Sequence, residues 1–145
     1  MNYLLWSVVA LAAYTFVAPL MSVATTGDAP IPSDVAALLA NLILVVVTAA
    51  VIVVESGGLV GYVAEYATHP KAPYVYAAGV CLSVGILAYY RALSMGPVSV
   101  VAPVFGMFLV TSSIVGVVAL DESVTLRKGL GIGLAILAVY LVSVE

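Results

Sequence analysis

The sequence predicts an all-α integral membrane protein with five transmembrane helices. Hydrophobic residues make up 65% of the chain and charged residues only 8%, whereas soluble domains carry roughly a quarter charged residues. The apolar residues are gathered into runs of about 20, the length that crosses the hydrocarbon core of a bilayer. Short polar links rich in glycine and proline, which end helices, separate these runs. We therefore expect the 145 residues to form a single transmembrane domain.

The five predicted crossings have approximate bounds of 3–25, 35–54, 73–93, 97–119 and 126–144. The second run is almost entirely valine, leucine and alanine. It is predicted to be helical in spite of its β-branched residues, because backbone in lipid must satisfy its own hydrogen bonds. Two prolines in the preceding link, Pro30 and Pro32, stop the first helix. Ser33 or Asp34 is then the expected N-cap of the second.

The longest segment outside the crossings covers residues 59–69. Leu59, Val63 and Tyr66 fall on one helical face of this segment. A short helix in the plane of the membrane interface and an ordered loop both fit this pattern. Aromatic residues concentrate at membrane interfaces, and four are expected there: Tyr3, Trp6, Tyr62 and Tyr66.

The distribution of ionisable residues excludes several classes of function. No carboxylate, lysine or arginine lies in the middle third of a predicted crossing, where such groups usually mark proton or ion pathways. The chain has no serine–histidine–acid set, no histidines at ligand spacing and no phosphate-binding loop, so we expect no enzymatic activity, no cofactor and no metal site. Four basic residues and a net charge of −3 also argue against binding to nucleic acid.

Small and polar side chains form a stripe along each predicted crossing. They indicate either close packing between helices or a substrate cavity near the bilayer midplane. Packing is favoured for Gly129 and Gly133, which are four residues apart. The candidate cavity residues are Tyr14, Asn41, Ser83, Tyr90, Ser99, Pro103 and Ser113.

Asn41 and Pro103 are the most informative of these candidates. A carboxamide in hydrocarbon needs hydrogen-bond partners, so Asn41 is expected to contact either another helix or a ligand. Pro103 in the middle of a helix leaves one carbonyl without its donor and bends the helix. Such a bend is typical of moving or cavity-lining segments of transporters, but it also occurs without a functional role.

The carboxy-terminal part of the chain resembles a known family. YYRAL at 89–93, the tight GPVS turn at 96–99 and VAPV at 101–104 are similar to the hairpin between the third and fourth helices of EamA-type transporters, in the drug/metabolite transporter superfamily. The acidic pair Asp121–Glu122, followed by Arg127–Lys128–Gly129, resembles the next link of that family. There, an acidic residue closes one helix and a basic, glycine-led segment opens the next. The similarity covers roughly residues 88–144.

The resemblance implies half of a transporter. Typical members have ten helices in two inverted five-helix repeats, whereas this chain has the length of one repeat. A homodimer supplies the second half, and we favour an antiparallel pair on the inverted-repeat plan. The basic residues point the other way: Lys71, Arg127 and Lys128 lie on the side of the N-terminus and only Arg91 on the other. This bias favours uniform insertion with a cytoplasmic N-terminus.

The leading hypothesis is a plasma-membrane transporter subunit that works as a homodimer by alternating access. Because no central charge is present, its substrate is expected to be a small neutral, zwitterionic or amphipathic organic metabolite. Its partners are membrane lipid, a second copy and that substrate, and Glu122 caps a link between helices. The alternatives are a non-transporting scaffold or accessory subunit, and a subunit of a lipid or lipid-linked sugar translocase with a cavity open sideways to the bilayer.

Overall fold

The computed structural model describes residues 3–119 and 125–143. All secondary structure in these ranges is helical. Four segments within them are long and apolar enough to cross a membrane: Tyr3–Thr25, Ser33–Ser56, Ala72–Met95 and Val98–Ala119. The all-α membrane class is thereby confirmed. The fifth predicted crossing corresponds to the last helix, and its passage through the membrane stays a prediction. The predictions for Asp121 and Glu122 lie outside the described residues.

The described residues form seven helices. In chain order they are α1 Tyr3–Thr15, α2 Val17–Thr25, α3 Ser33–Ser56, α4 Val60–Ala67, α5 Ala72–Met95, α6 Val98–Ala119 and α7 Leu126–Ser143. Helices α3, α5 and α6 begin and end within two residues of the predicted crossings. This agreement arises because polar links bound the apolar runs, and glycine or proline stands in each of these links except the one after α6.

The first predicted crossing is two helices rather than one. The break lies at Phe16, whose N–H donates to the Ala13 carbonyl at 3.4 Å, a tighter turn than the α-helical one. Pro19 explains the break, because a proline has no N–H and its ring clashes with the carbonyl four residues earlier, here that of Thr15. The predicted crossing over residues 3–25 is confirmed as a segment long and apolar enough to span a membrane, and the break within it at Phe16 was not predicted.

Both ends of α3 are set by the backbone. The N-cap is Pro32, with φ −52° and ψ 136° and no capping side chain, so the prediction of Ser33 or Asp34 as N-cap is wrong. The Pro32 carbonyl accepts a hydrogen bond from the Ala36 N–H at 2.9 Å, which starts the helix one residue earlier. At the other end, Gly57 has a φ of 73° and donates its N–H to the Val53 carbonyl. This left-handed conformation favours glycine.

The segment 59–69 contains a helix rather than an ordered loop, and its position in the membrane interface stays a prediction. Helix α4 follows α3 after a short turn. The Tyr76 hydroxyl, on α5, donates a hydrogen bond of 2.6 Å to the Ala67 carbonyl at the end of α4. The Lys71 N–H donates to His69 Nδ1 at 3.2 Å within the following turn. These two bonds hold the link between α4 and α5.

The chain divides into two compact units, which are described separately. Unit 1 consists of residues 1–20 and 95–145, and unit 2 of residues 21–94. In unit 1, α6 packs against α7. Unit 2 contains α3, α4 and α5, and Leu93 near the end of α5 is completely buried. Most long aliphatic side chains of both units are exposed, as expected for helices surrounded by hydrocarbon.

Serine and threonine hydroxyls on these helices bond to their own backbone. Thr48 donates to the Leu44 carbonyl at 2.8 Å, Ser83 to the Gly79 carbonyl at 2.8 Å, and Ser113 to the Leu109 carbonyl at 2.8 Å. A hydroxyl that bonds to the carbonyl four residues earlier satisfies its donor locally. In each of these three side chains the hydroxyl proton is therefore bonded within the helix, and the oxygen can still accept a hydrogen bond.

Candidate functional site

The seven predicted cavity residues are divided between the two units. Three lie in unit 2, on α3 and α5: Asn41, Ser83 and Tyr90. Four lie in unit 1, on α1 and α6: Tyr14, Ser99, Pro103 and Ser113. We describe the cavities of each unit in turn.

In unit 2, a cavity of about 380 Å³ brings Asn41 and Ser83 together. We call it the α3–α5 cavity. Its lining residues recur every three or four positions on each helix, the spacing that places side chains on one helical face. They are Asp34, Ala37, Leu38 and Asn41 from α3 and Leu82, Ser83, Ile86 and Leu87 from α5.

The polar groups of the α3–α5 cavity are mainly hydrogen-bond acceptors. Asn41 is half-buried, and its Nδ2 donates to the Ala37 carbonyl at 2.8 Å, which leaves Oδ1 and one N–H for a ligand. Ser83 has also used its proton, so its oxygen can accept. Asp34 is exposed in the first turn of α3, and an ionised carboxylate only accepts. The cavity thus suits a small ligand with an apolar body and one or more N–H or O–H donors.

Asp34 is the site residue that the sequence analysis missed. It was considered only as a helix cap, a role that Pro32 fills in the structure. The available signal was its spacing, because residues seven apart lie two helical turns from each other on the same face. Asp34 precedes Asn41 by seven residues, so it belongs to the same stripe.

Tyr90 occupies a different environment from Asn41 and Ser83. It is seven residues beyond Ser83 on α5, is only 5% exposed, and its ring centroid lies 5.9 Å from that of Tyr89. It does not line the α3–α5 cavity. Its burial and its contact with Tyr89 are those of a packed side chain, and a role in a cavity wall stays a prediction.

In unit 1, a cavity of about 420 Å³ lies between α6 and α7. We call it the α6–α7 cavity. Ser113 is the only predicted cavity residue among those lining it, and Lys128 brings a positive charge from the first turn of α7. The lining residues are Leu109, Val110, Ser113 and Val117 from α6 and Lys128, Gly131, Ile132 and Ala135 from α7.

The start of α7 fixes the backbone that carries Lys128. The Lys128 N–H donates a hydrogen bond of 3.3 Å to Thr125 Oγ1, and the Gly129 N–H donates to the Thr125 carbonyl at 3.1 Å. Thr125 therefore acts as a side-chain N-cap, a position that threonine favours. The sequence analysis did not assign this role to Thr125.

The remaining candidates of unit 1 do not line the α6–α7 cavity. Tyr14 is 67% exposed near the end of α1. Ser99 is exposed and Pro103 half-buried on α6, which continues as a helix through the proline. Because Pro103 has no N–H, it cannot donate to the carbonyl of Ser99, four residues earlier. The Ser99 carbonyl therefore lacks its usual helical donor.

The two glycines predicted to pack lie away from α6. A methyl group added at Gly129 or Gly133 would meet no atom of the described residues within 4 Å, and neither glycine lines the α6–α7 cavity. Within the described chain these glycines therefore make no close helix contact. Their role in helix packing stays a prediction.

The described residues hold no group of three or more His, Cys, Asp or Glu side chains placed to bind a metal ion. In the α3–α5 cavity, Asp34 is the one charged lining residue, and in the α6–α7 cavity it is Lys128. The chemistry that these cavities offer is therefore hydrogen bonding and charge recognition of a ligand.

Comparison with known proteins extends the resemblance over almost the whole chain. The model of the EamA-like transporter family matches residues 1–144. An uncharacterized transporter in the cobO 3′ region of a Sinorhizobium species is 30% identical over 142 residues, which cover 93% of this chain and 97% of that relative. No solved structure matches the chain. The family model and the relative agree with each other and with the apolar helices: the chain is a multi-pass membrane protein that belongs to the EamA-like transporter family.

Proposed function

We propose that this protein is a transporter subunit that moves a small neutral, zwitterionic or amphipathic organic metabolite by alternating access. The observation that carries the proposal is the α3–α5 cavity, in which Asn41 and Ser83 line one space in a chain of a transporter family. A volume of about 380 Å³ lies within the range of small-molecule sites, roughly 300–1,000 Å³. Its mostly aliphatic wall suits an apolar substrate body, and its oxygen atoms suit a polar donor group.

The proposal includes a homodimer in the plasma membrane. One chain has the length of a single five-helix repeat, in which α7 makes the fifth crossing, and inverted repeats place a shared site at their interface. The relative in Sinorhizobium is matched over 97% of its own length, so it too has the length of one repeat. This supports a plan in which two copies, rather than two halves of one chain, form the carrier. We favour the antiparallel pair, with the N-terminus cytoplasmic in one of the two orientations.

One helix break and one proline within a helix of unit 1 support a mechanism by alternating access. Helix geometry is broken between α1 and α2 at Phe16, and α6 contains Pro103. Discontinuous helices recur in transporters, where they line the substrate site and allow one part to move against another. The Ser99 carbonyl, freed by Pro103, adds a backbone acceptor that a moving helix can expose to substrate or water.

A ligand screen in detergent tests the proposal first. Ligands that bind the folded state raise its thermal stability by mass action, so amino acids, nucleosides, sugars, polyamines and lipids are compared by thermal shift. We expect a donor-bearing metabolite to raise Tm in the wild type and not in Asn41→Ala. Thr48→Val is the matched control, because Thr48 is on the same helix, bonds to its own backbone and does not line the α3–α5 cavity. Equal shifts in Asn41→Ala and the wild type contradict the cavity assignment.

A second candidate function is supported by a larger apolar groove. A cavity of about 720 Å³ lies between α3 and α4 and is lined almost entirely by aliphatic side chains, among them Leu44, Ile52, Leu59 and Val63. Such a surface suits an acyl chain and favours a lipid or lipid-linked sugar translocase over a scaffold. Stabilisation by lipid-like molecules alone, with no effect of water-soluble metabolites, would favour this candidate.

A further inference from the structure

Unit 2 contains a third cavity, in which three tyrosines from two helices meet. We call it the tyrosine cavity; its volume is about 400 Å³. It is separate from the α3–α5 cavity, since the two share no lining residue. Its aromatic side chains belong to α4 and α5, and the rest of its wall is aliphatic. The lining residues are Ile52, Tyr62, Val63, Tyr66, Ala67, Ala72, Val75 and Tyr76.

The positions of the three rings are fixed by the helices and by one hydrogen bond. Tyr62 and Tyr66 are one helical turn apart on α4, with ring centroids 5.1 Å apart and planes inclined by 58°. Tyr76 comes from the first turns of α5, and its hydroxyl donates to the Ala67 carbonyl at 2.6 Å. This bond holds the end of α4 against α5. Two sides of the cavity therefore carry aromatic rings in a fixed arrangement.

The electrostatics of this region favour a positive charge. The faces of aromatic rings carry negative potential and attract ammonium groups. Glu65 lies beside Tyr66: its negative charge is the largest cause that raises the pKa of the Tyr66 hydroxyl above the ordinary 10.0, followed by Tyr62 and by burial. Residues 55–71 contain two carboxylates, Glu55 and Glu65, against one lysine, Lys71.

We propose that the tyrosine cavity binds an organic ammonium ion whose nitrogen carries alkyl groups, of the trimethylammonium kind. The tyrosine rings attract the nitrogen, and Ile52, Val63 and Val75 contact its methyl groups. Glu65 precedes Tyr66 in the chain but does not line the cavity. A bare metal cation lacks a ligand set here, because the lining side chains include no carboxylate and carry only the three tyrosine hydroxyl oxygens. A neutral acyl chain would fit the aliphatic wall but lacks the positive charge that the rings attract. This site does not depend on substrate binding in the α3–α5 cavity, although it shares Ile52 and Val63 with the apolar groove between α3 and α4.

Choline and its neutral isostere 3,3-dimethylbutan-1-ol test the proposal directly. They have the same shape, but only choline is charged, so the difference between their affinities measures the contribution of the positive charge. Binding is measured by isothermal titration calorimetry on the full chain in maltoside detergent. We expect choline to bind at least about tenfold more tightly than the alcohol. Equal affinities, or no binding of choline, would overturn the proposal.

Substitutions of the tyrosines test whether choline binds in the tyrosine cavity. Tyr66→Leu and Tyr62→Leu are each expected to weaken choline binding about fivefold, whereas Tyr66→Phe keeps the ring and should retain it. Tyr74→Leu is the matched control, because Tyr74 is 76% exposed on α5 and does not line the cavity. A loss in Tyr74→Leu as large as in Tyr66→Leu would contradict the assignment. The Phe variant keeps the test decisive if a Leu variant fails to fold.

The ammonium group can belong to a lipid or to a soluble compound, and nanodiscs of two compositions distinguish these sources. If the headgroup of phosphatidylcholine occupies the cavity, added choline binds in phosphatidylglycerol discs and not in phosphatidylcholine discs. If the natural ligand is soluble, choline binds equally in both. Absence of choline binding in phosphatidylglycerol discs would contradict the proposal.

Discussion

The α3–α5 cavity and the α6–α7 cavity are built alike but carry opposite charges. Each lies between two apolar helices, and each contains a serine whose proton is bonded to its own helix. The charge of the first cavity comes from Asp34 and that of the second from Lys128. Both residues lie in the first turn of a helix. Asp34 is stabilised there by the positive end of the helix dipole, whereas Lys128 is opposed by it.

This difference shows how such a chain can discriminate between ligands without a charge in the middle of a crossing. A charge in hydrocarbon is costly, but one in the first turn of a helix lies near the polar edge of the membrane. If the cavities bind ligands as proposed, we expect the α3–α5 cavity to select a hydrogen-bond donor or cation and the α6–α7 cavity an acceptor or anion. Charges at helix starts set this preference, because the serines of the two cavities are equivalent.

The largest expected effect on ligand affinity comes from removing the charge of one cavity. Asp34→Asn should lower the affinity for an amine-bearing ligand about tenfold, since a charge-assisted hydrogen bond is lost and solvent screens part of its strength at this exposed position. Lys128→Gln is the matched change in the other cavity and should leave that affinity unaltered. Titration calorimetry with the best ligand of the thermal-shift screen gives both values. Equal losses in the two variants would remove the distinction between the cavities.

The next largest effect is on stability and concerns Gly57, at the C-terminal end of α3. Gly57→Ala should destabilise the protein by about 1 kcal/mol, because Gly57 has a φ of 73°, which alanine adopts only with strain. Gly58→Ala is the control: its φ lies outside the left-handed region, and an added methyl group meets no described atom within 4 Å. Thermal and denaturant unfolding in detergent would measure both. Equal stabilities of the two variants would contradict this account of the α3 end.

A slightly smaller effect on stability is expected at the start of α7, where Thr125 caps the helix. Thr125→Ala should cost up to about 1 kcal/mol, since the Lys128 N–H loses its side-chain acceptor. Thr125→Ser retains the oxygen and should unfold like the wild type. If the serine variant is as unstable as the alanine variant, the cap is not the source of the stability.

The smallest expected effect is on the two serines. Ser83→Ala and Ser113→Ala should each change the stability by less than about 0.5 kcal/mol, because a hydroxyl that bonds to its own helix contributes little to the fold. Ser83→Ala should still lower the affinity of the α3–α5 cavity for its ligand, and Ser113→Ala should leave that affinity unchanged. A large loss of stability in either variant would indicate contacts that the described chain does not contain.

The sequence was a good guide to the helices and a partial guide to the site. Apolar runs bounded by polar links, most of which contain glycine or proline, located α3, α5 and α6 to within two residues. The break at Phe16 was missed because the first run was judged by its hydrophobicity and Pro19 was not weighed as an interruption. Asn41 and Ser83, which the structure places at one cavity, were predicted because polar residues stand out in an apolar run, and their role in binding stays a prediction. Asp34 was not predicted, because a charge at a helix start has an ordinary structural explanation.

Other features depend on packing that a sequence pattern does not contain. The burial of Tyr90 against Tyr89 and the meeting of Tyr62, Tyr66 and Tyr76 arise between residues whose spacing also fits aromatics of the membrane interface. Gly129 and Gly133 match a close-packing pattern, yet their surface is open in the described chain. A spacing rule identifies the face of a helix, but not the neighbour that covers it.

Substrate exchange in proteoliposomes tests the central claim most directly. The ligand identified by thermal shift is loaded inside, and entry of the labelled compound is measured for the wild type, for Asn41→Ala with Ser83→Ala, and for Thr48→Val. We expect saturable exchange in the wild type and in Thr48→Val, and a loss of about tenfold or more in the double variant. Undiminished exchange in the double variant would contradict the α3–α5 cavity as the substrate site, and no exchange in any protein would contradict transport itself.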